Sequence, residues 1–306
     1  MATSPSPVAL RRAAAAFLAC LALAGCGTSK SEPEPAATQA SARANVLITA
    51  DWGATKVAEG RAPAGSVLDA TRAVAPVETT YGGRYVSSLA GEAGDGEREW
   101  VYWVNGIEAD VGAADVEVGA DDRVWWDLHR WAGRTHVPAI VGQWPAPLTR
   151  ALTRDVGAVT ADEAFLPALE AAGGTATTPA AADGPRAIAG ASDALAQRDP
   201  AWAAALADPE RYGLTAWFEK GEIVVWDAET GSAVPVPAAR AIMVAFTADG
   251  TAQGDPIVVV AGRTAKDADA ALARLVDDPF LPQRHAAICL DEAGLIACSG
   301  GQGTIP

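Results

Sequence analysis

Two short segments, Glu99–Val104 and Arg123–His129, constrain the fold of this chain more than any other stretch. Both are rich in β-branched and aromatic residues. Asn105-Gly106 closes the first, and Gly119-Ala120-Asp121-Asp122 leads into the second, so both are predicted strands flanked by turns. Side chains alternate between the two faces of a strand. Val124, Trp126 and Leu128 therefore share one face, which reads as core. Arg123, Trp125, Asp127 and His129 share the other; on Glu99–Val104, Trp100, Tyr102 and Val104 face one way and Val101 and Trp103 the other. A core takes unpaired Arg, Asp and His poorly. The second face has two readings: the filled core of a small domain, or a partly exposed surface for a planar ligand or a partner.

Around these strands the chain reads as a small mixed domain over 45–135. Asn45–Ala50 is a predicted strand, Ser66 a predicted N-cap for a helix over Val67–Val74, and Tyr85–Leu89 another strand. Strands and one helix without α/β alternation give an α+β domain. The second region, 136–306, repeats a different unit, a short apolar strand ending in Gly and then a helical stretch. It occurs at Ala139–Gly142, Ala187–Gly190 and Val258–Gly262, the last followed by a helix with Thr264 as N-cap. That pattern predicts an α/β domain. Hairpins are expected around Lys220-Gly221-Glu222 and over 286–299. In the latter, a two-residue Ala293-Gly294 turn would set Cys289 opposite Cys298. The pair reads as a disulfide, or as two buried thiols.

The first residues read as an address. Arg11 and Arg12 precede the short apolar run Ala13–Ala22, and Leu23-Ala24-Gly25-Cys26 follows. The last four resemble the bacterial lipobox, which implies a leader over 1–25 and lipid on the Cys26 thiol. Residues 26–44 lack large apolar side chains and read as a flexible tether. The expectation is a lipid anchor in the cell membrane with the chain on the extracytoplasmic side, where disulfides persist. Lys and Arg number 23 against 38 Asp and Glu, a net charge of −15, which argues against a nucleic-acid partner.

Val46-Leu47-Ile48, Ala64–Ala70, Trp100–Gly106 and Asp122–Trp126 also fall in an order that resembles the DUF4430 family, related to the C-terminal domain of transcobalamin and intrinsic factor. The resemblance implies a β-grasp-like first domain and suggests cobalamin or another corrinoid as ligand, with a membrane importer as partner. The cobalamin carriers also have an α/α barrel, of which this sequence has no counterpart.

No H-E-x-x-H, C-x-x-C or G-x-S-x-G occurs, and only three His are present, so neither an enzyme nor a metal or cofactor site is expected. The leading expectation is a lipoprotein that captures a small ligand for uptake through Trp103, Trp125, Asp127, His129 and Trp131. A surface module that docks another protein is the alternative, and a surface hydrolase a third.

Overall fold

The computed structural model describes residues 43–130, 134, 136–291 and 294–298. The leader, Cys26, the tether up to residue 42 and Trp131 lie outside them; Arg43 and Ala44, expected in the tether, instead open the first strand, with Ala44 buried. Mixed, β-rich α/β architecture follows from several sheets and short helices. Among the described residues no helix is long and apolar enough to cross a membrane.

Five strands build the first sheet. Arg43–Ala50 lies between Thr55–Pro63, which it pairs antiparallel, and Arg123–Arg130, which it pairs parallel. Arg98–Val104 continues the sheet antiparallel to Arg123–Arg130, and the Asn105-Gly106 turn leads to Ile107–Glu108. Helix Val67–Arg72 covers one face. Ser66 caps it as the sequence predicts, its hydroxyl accepting from Asp69 N at 3.0 Å. Val46, Ile48, Val124, Trp126 and Leu128 pack with the helix residues Val67 and Leu68 in one core.

The second sheet has six strands in the order Thr160–Ala161, Arg186–Ala191, Pro256–Gly262, Ala241–Thr247, Ile288–Leu290, Leu295–Ala297. The first three are parallel and the rest antiparallel. Helix Ala265–Asp277 starts with a capping box, Thr264 and Asp267 each bonding the other's backbone N–H, and buries Ala268, Ala271, Leu272 and Leu275. Val258 and Val260 point towards this helix. Ile257 and Val259 point the other way, into a core that also contains Trp52, Trp103 and Trp125 of the first sheet. Helix Pro200–Ala207 reaches the same core with Trp202 and is held by a buried pair. Arg186 donates to both Asp199 oxygens at 2.7 and 2.9 Å, and Asp199 Oδ1 accepts from Trp202 N. Burial alone would raise the Asp199 pKa; the Arg186 guanidinium and the Trp202 and Ala201 N–H groups together outweigh it and hold the carboxyl below its usual range.

Two local expectations change. Ala139–Gly142 forms a single bridge to Ile107 rather than a strand, and the following helix is only Ala146–Thr149. Pro138 removes an N–H that a ladder needs, and the helix stops where Arg150-Ala151 pairs with Arg154-Asp155 across a turn in which Leu152 has a φ of 51°. In the last hairpin Leu290 pairs Leu295, so Cys289 faces Ile296 and not Cys298. The register shifts because Asp291 N donates to Gly294 O and Asp291 Oδ1 accepts from Gly294 N, so the hairpin closes on Asp291 and Gly294 instead of Glu292 and Leu295. The disulfide forms nonetheless, diagonally, with Cα atoms 5.0 Å apart. Closing so short a loop stabilises by about 2.5 kcal/mol. Cys289→Ser with Cys298→Ser is expected to lower unfolding free energy by about that much in urea titrations, and a reductant should reproduce the loss in the parent chain.

Candidate functional site

The polar residues predicted at the centre of the first sheet do converge, around the carboxylate of Asp127. Asp127 Oδ1 accepts from Trp52 N at 2.9 Å and from His129 Nδ1 at 2.8 Å. Oδ2 accepts from Gly53 N at 2.9 Å and from the Thr49 hydroxyl at 2.5 Å. The Thr49 hydroxyl in turn accepts from Trp125 Nε1 at 2.6 Å. His129 stacks on Trp52 with ring centroids 3.7 Å apart, and Trp52 meets Trp226 edge-on at 5.3 Å. Trp103 lies 5.3 Å from Trp125 and donates from Nε1 to Val137 O.

This cluster is closed to solvent. Trp103, Trp125, Asp127 and His129 are each 0% exposed, so the partly open surface foreseen for that face is instead the interior between the two sheets. The reason is long range: Ile188, Trp202, Trp226 and Val259 cover it from far downstream. Sequence reading did not single out the turn Asp51-Trp52-Gly53. All three residues have φ between 57° and 83°, which points successive N–H groups at one spot. A D-x-G turn after a strand was the signal available. Gly53 is required there twice over, by its φ of 83° and because a Cβ would lie 1.9 Å from Arg284 O. Asp51 feels the cluster: desolvation first and the Asp127 charge second hold its carboxyl above the ordinary range.

Besides a hollow of about 390 Å³ walled by Asn105, Asp121, Asp122, Arg123 and Arg150, two more concavities lie outside this interior. The first, about 340 Å³, opens on the helix side of the first sheet, with Arg84, Tyr85, Trp100, Tyr102, Asp110 and Val111 among its walls. Tyr102 donates to Val111 O at 2.7 Å, and its phenol is pushed up by burial first and by Asp115 and Asp110 next. Tyr85 and, nearby in sequence, Tyr81 are 39% and 85% exposed. The second, about 230 Å³, lies on the Trp125 side of the same sheet and contains Arg123. His136 pairs with Glu108 at 2.9 Å, a hydrogen bond that raises its pKa. Among the described residues no three His, Cys, Asp or Glu side chains gather in a way that would hold a metal ion.

Residues 64–130 match the model of a family described as a domain of unknown function, DUF4430. This segment is a DUF4430 domain. No curated protein matches the chain, and no solved structure does. The DUF4430 match holds Trp103, Trp125, Asp127 and His129, and it includes Trp100–Gly106 and Asp122–Trp126, which carried the resemblance. It begins after Thr49, Trp52 and Gly53, so half of the Asp127 network is supplied from outside the DUF4430 segment.

Removing the Asp127 carboxylate takes the acceptor from Trp52 N, Gly53 N and His129 Nδ1, each a loss of about 1–3 kcal/mol, while the Thr49 hydroxyl keeps Trp126 O at 3.2 Å. Asp127→Ala is expected to destabilise by at least about 3 kcal/mol in urea unfolding. Trp125→Ala should lose about 3–5 kcal/mol as a core truncation. His285 gives a pH signature. Desolvation, then the Arg284 charge, pushes it down to about 4 from 6.5. The unfolded chain then binds the extra proton, so this contribution is complete above 6.5 and is lost as pH falls towards 4. His285→Gln should flatten the urea midpoint between those two pH values.

Proposed function

We propose that the chain is a lipid-anchored, extracytoplasmic binding protein that captures a small ligand for uptake, and that it works by binding rather than by catalysis. The lipobox-like Leu23–Cys26 and the 26–44 segment support the anchor. In this reading the first sheet and its helix are a β-grasp-like domain. The parallel pairing of Arg43–Ala50 with Arg123–Arg130, antiparallel neighbours and one helix across a face all favour that arrangement.

The observation that carries ligand capture is the open groove on the helix side, where Tyr85 stands exposed beside a floor of Trp100 and Tyr102. Its volume is at the lower end of small-molecule sites. It would seat one edge of a corrinoid, the ligand that the family resemblance suggests, by stacking and by hydrogen bonds to Arg84 and Asp110. An importer in the membrane would then take the ligand from the tethered domain. The second reading, a surface module that docks another protein, is favoured by Tyr81, whose ring projects almost wholly into solvent. A surface hydrolase has less support, because the most elaborate carboxylate network in the first sheet is buried.

Titration of the chain with cobalamin and cobinamide, followed by tryptophan fluorescence and corrected with a free-tryptophan control for light absorbed by the corrinoid, tests the reading. Saturable quenching is expected, weakened at least fivefold by Tyr85→Ala, which leaves the interior intact. Quenching no greater than the control would remove corrinoids. A protein complex that survives purification and depends on Tyr81 would favour docking.

A further inference from the structure

Among Arg123, Asp127 and His129, which share one face of their strand, Arg123 alone stands outside the Asp127 network, and it lines two hollows, of which one lies away from the Asp121 and Asp122 carboxylates. That one, a cleft of about 230 Å³, runs between the first sheet and the chain at Gly142-Gln143 and Gln283. Register places its charged walls. Asn45 is directly opposite Arg123 on the parallel pair, and Leu47 is directly opposite Glu59 on the antiparallel pair. Asn45, Leu47, Glu59 and Arg123 therefore project from the same face. Gln143 and Gln283 add two carboxamides from the other side.

The Arg123 guanidinium has no carboxylate within ion-pair distance among the described residues. By contrast Arg61 reaches Asp121 at 3.9 Å and Arg150 reaches Asp122 at 3.0 Å. Arg123 Nη1 donates to Trp144 O at 2.8 Å and more weakly to Gln143 O at 3.3 Å, which fixes the side chain without neutralising it. Burial alone lowers its pKa. Of the buried arginines, Arg186 is answered by Asp199, and Arg134 by the rings of Trp217 and Trp226 at 5.2 and 5.7 Å. Arg123 has no such ring contact. A desolvated cation that keeps a fixed geometry and faces a cavity is suited to an incoming carboxylate, which Arg recognises through two parallel hydrogen bonds. Glu59 stands across the cleft, two strand spacings over and two residues along, with the two backbones about 12 Å apart. Its contact with Lys56, at 3.3 Å, is an exposed pair that a ligand cation can replace.

We propose that this cleft is a second small-molecule site that takes a zwitterionic amino acid or dipeptide, the carboxylate on Arg123, the ammonium towards Glu59 and the polar middle on Asn45, Gln143 and Gln283. The volume excludes a large ligand, and the opposed charges select one that carries both signs. It is separate from the aromatic groove and does not depend on corrinoid binding there.

Calorimetry of the full chain with L-alanine and with L-alanyl-L-alanine tests it, with L-alanyl-L-alanine amide and N-acetyl-L-alanine as probes lacking one charge. Saturable heat is expected with at least one zwitterion. The probe without the carboxylate should bind at least tenfold more weakly, and Arg123→Met should remove binding while Arg123→Lys keeps part of it. If Arg123→Met fails to fold by circular dichroism, the exposed positions carry the test. Glu59→Gln should then weaken the zwitterion about threefold and leave N-acetyl-L-alanine unchanged, and Gln283→Ala should weaken both. Absence of saturable heat with either zwitterion at millimolar concentration overturns the proposal, as does affinity unchanged in both Glu59→Gln and Gln283→Ala.

Discussion

A buried carboxylate needs several donors, and the way Asp127 obtains them organises the chain. Its donors come from Thr49, Trp52, Gly53 and His129, and so from the end of the first strand, the turn after it and the strand bearing Asp127 itself. Two of the donors are backbone N–H groups that point inward only because Asp51, Trp52 and Gly53 adopt left-handed conformations. Such conformations are unfavourable for Asp and Trp in isolation, by roughly 1–2 kcal/mol each. The carboxylate and the turn therefore stabilise each other. The turn also positions Trp52 against His129, Trp103 and Trp226 and lays Gly53 against the Arg284 backbone. One ionisable group thus joins the parallel strand pair, the aromatic layer and the later part of the chain.

Close approach of backbone to ring repeats this logic at Gly142. A Cβ there would lie 2.8 Å from His285 O and 2.9 Å from the Trp125 ring. The segment that carries Gly142 and Gln143 can then lie flat on the first sheet, and Gln143 Oε1 accepts from Gly106 N in the Asn105-Gly106 turn. Arg123 is caught at the edge of this seam, donating to the carbonyls of Gln143 and Trp144. The Asp127 carboxylate is thus answered on both oxygens within an aromatic interior, while the polar seam beside it leaves room for a cleft.

Local signals in the sequence carried the local structure. The alternation in Glu99–Val104 and Arg123–His129, the Asn105-Gly106 turn and the caps Ser66 and Thr264 all correspond to elements in the fold. Each depends on contacts within a few residues, which a single sequence records. The burial of the second face of Arg123–Arg130 was not legible, because its cover comes from residues such as Ile188 and Trp226 and its charge is satisfied by backbone N–H groups some 75 residues earlier. Mixed polar and aromatic patterning looks alike whether the polar groups meet water or meet designed partners. The hairpin at Cys289 and Cys298 shows the same limit at short range. The Asp291 side chain, not the dipeptide Ala293-Gly294, sets the register, while the bridge survives because a diagonal pair still lies within disulfide reach.

Energetics decide where a ligand can bind. Trp52, Trp103 and Trp125 are almost wholly buried. Each indole removes about 150–250 Å² from water, and at about 25 cal/mol per Å² uncovering the three would require roughly 11–19 kcal/mol. A micromolar ligand supplies only about 8 kcal/mol. Opening the sheets to expose the Trp face for stacking is therefore beyond what such a ligand can drive. A small ligand of that affinity would therefore have to use a surface already open, such as the groove beside Tyr85, the cleft beside Arg123 and Glu59 or the hollow beside Asp122 and Arg150. The tryptophans act on these surfaces indirectly, by holding rigid the strands from which Trp100, Tyr102 and Arg123 project.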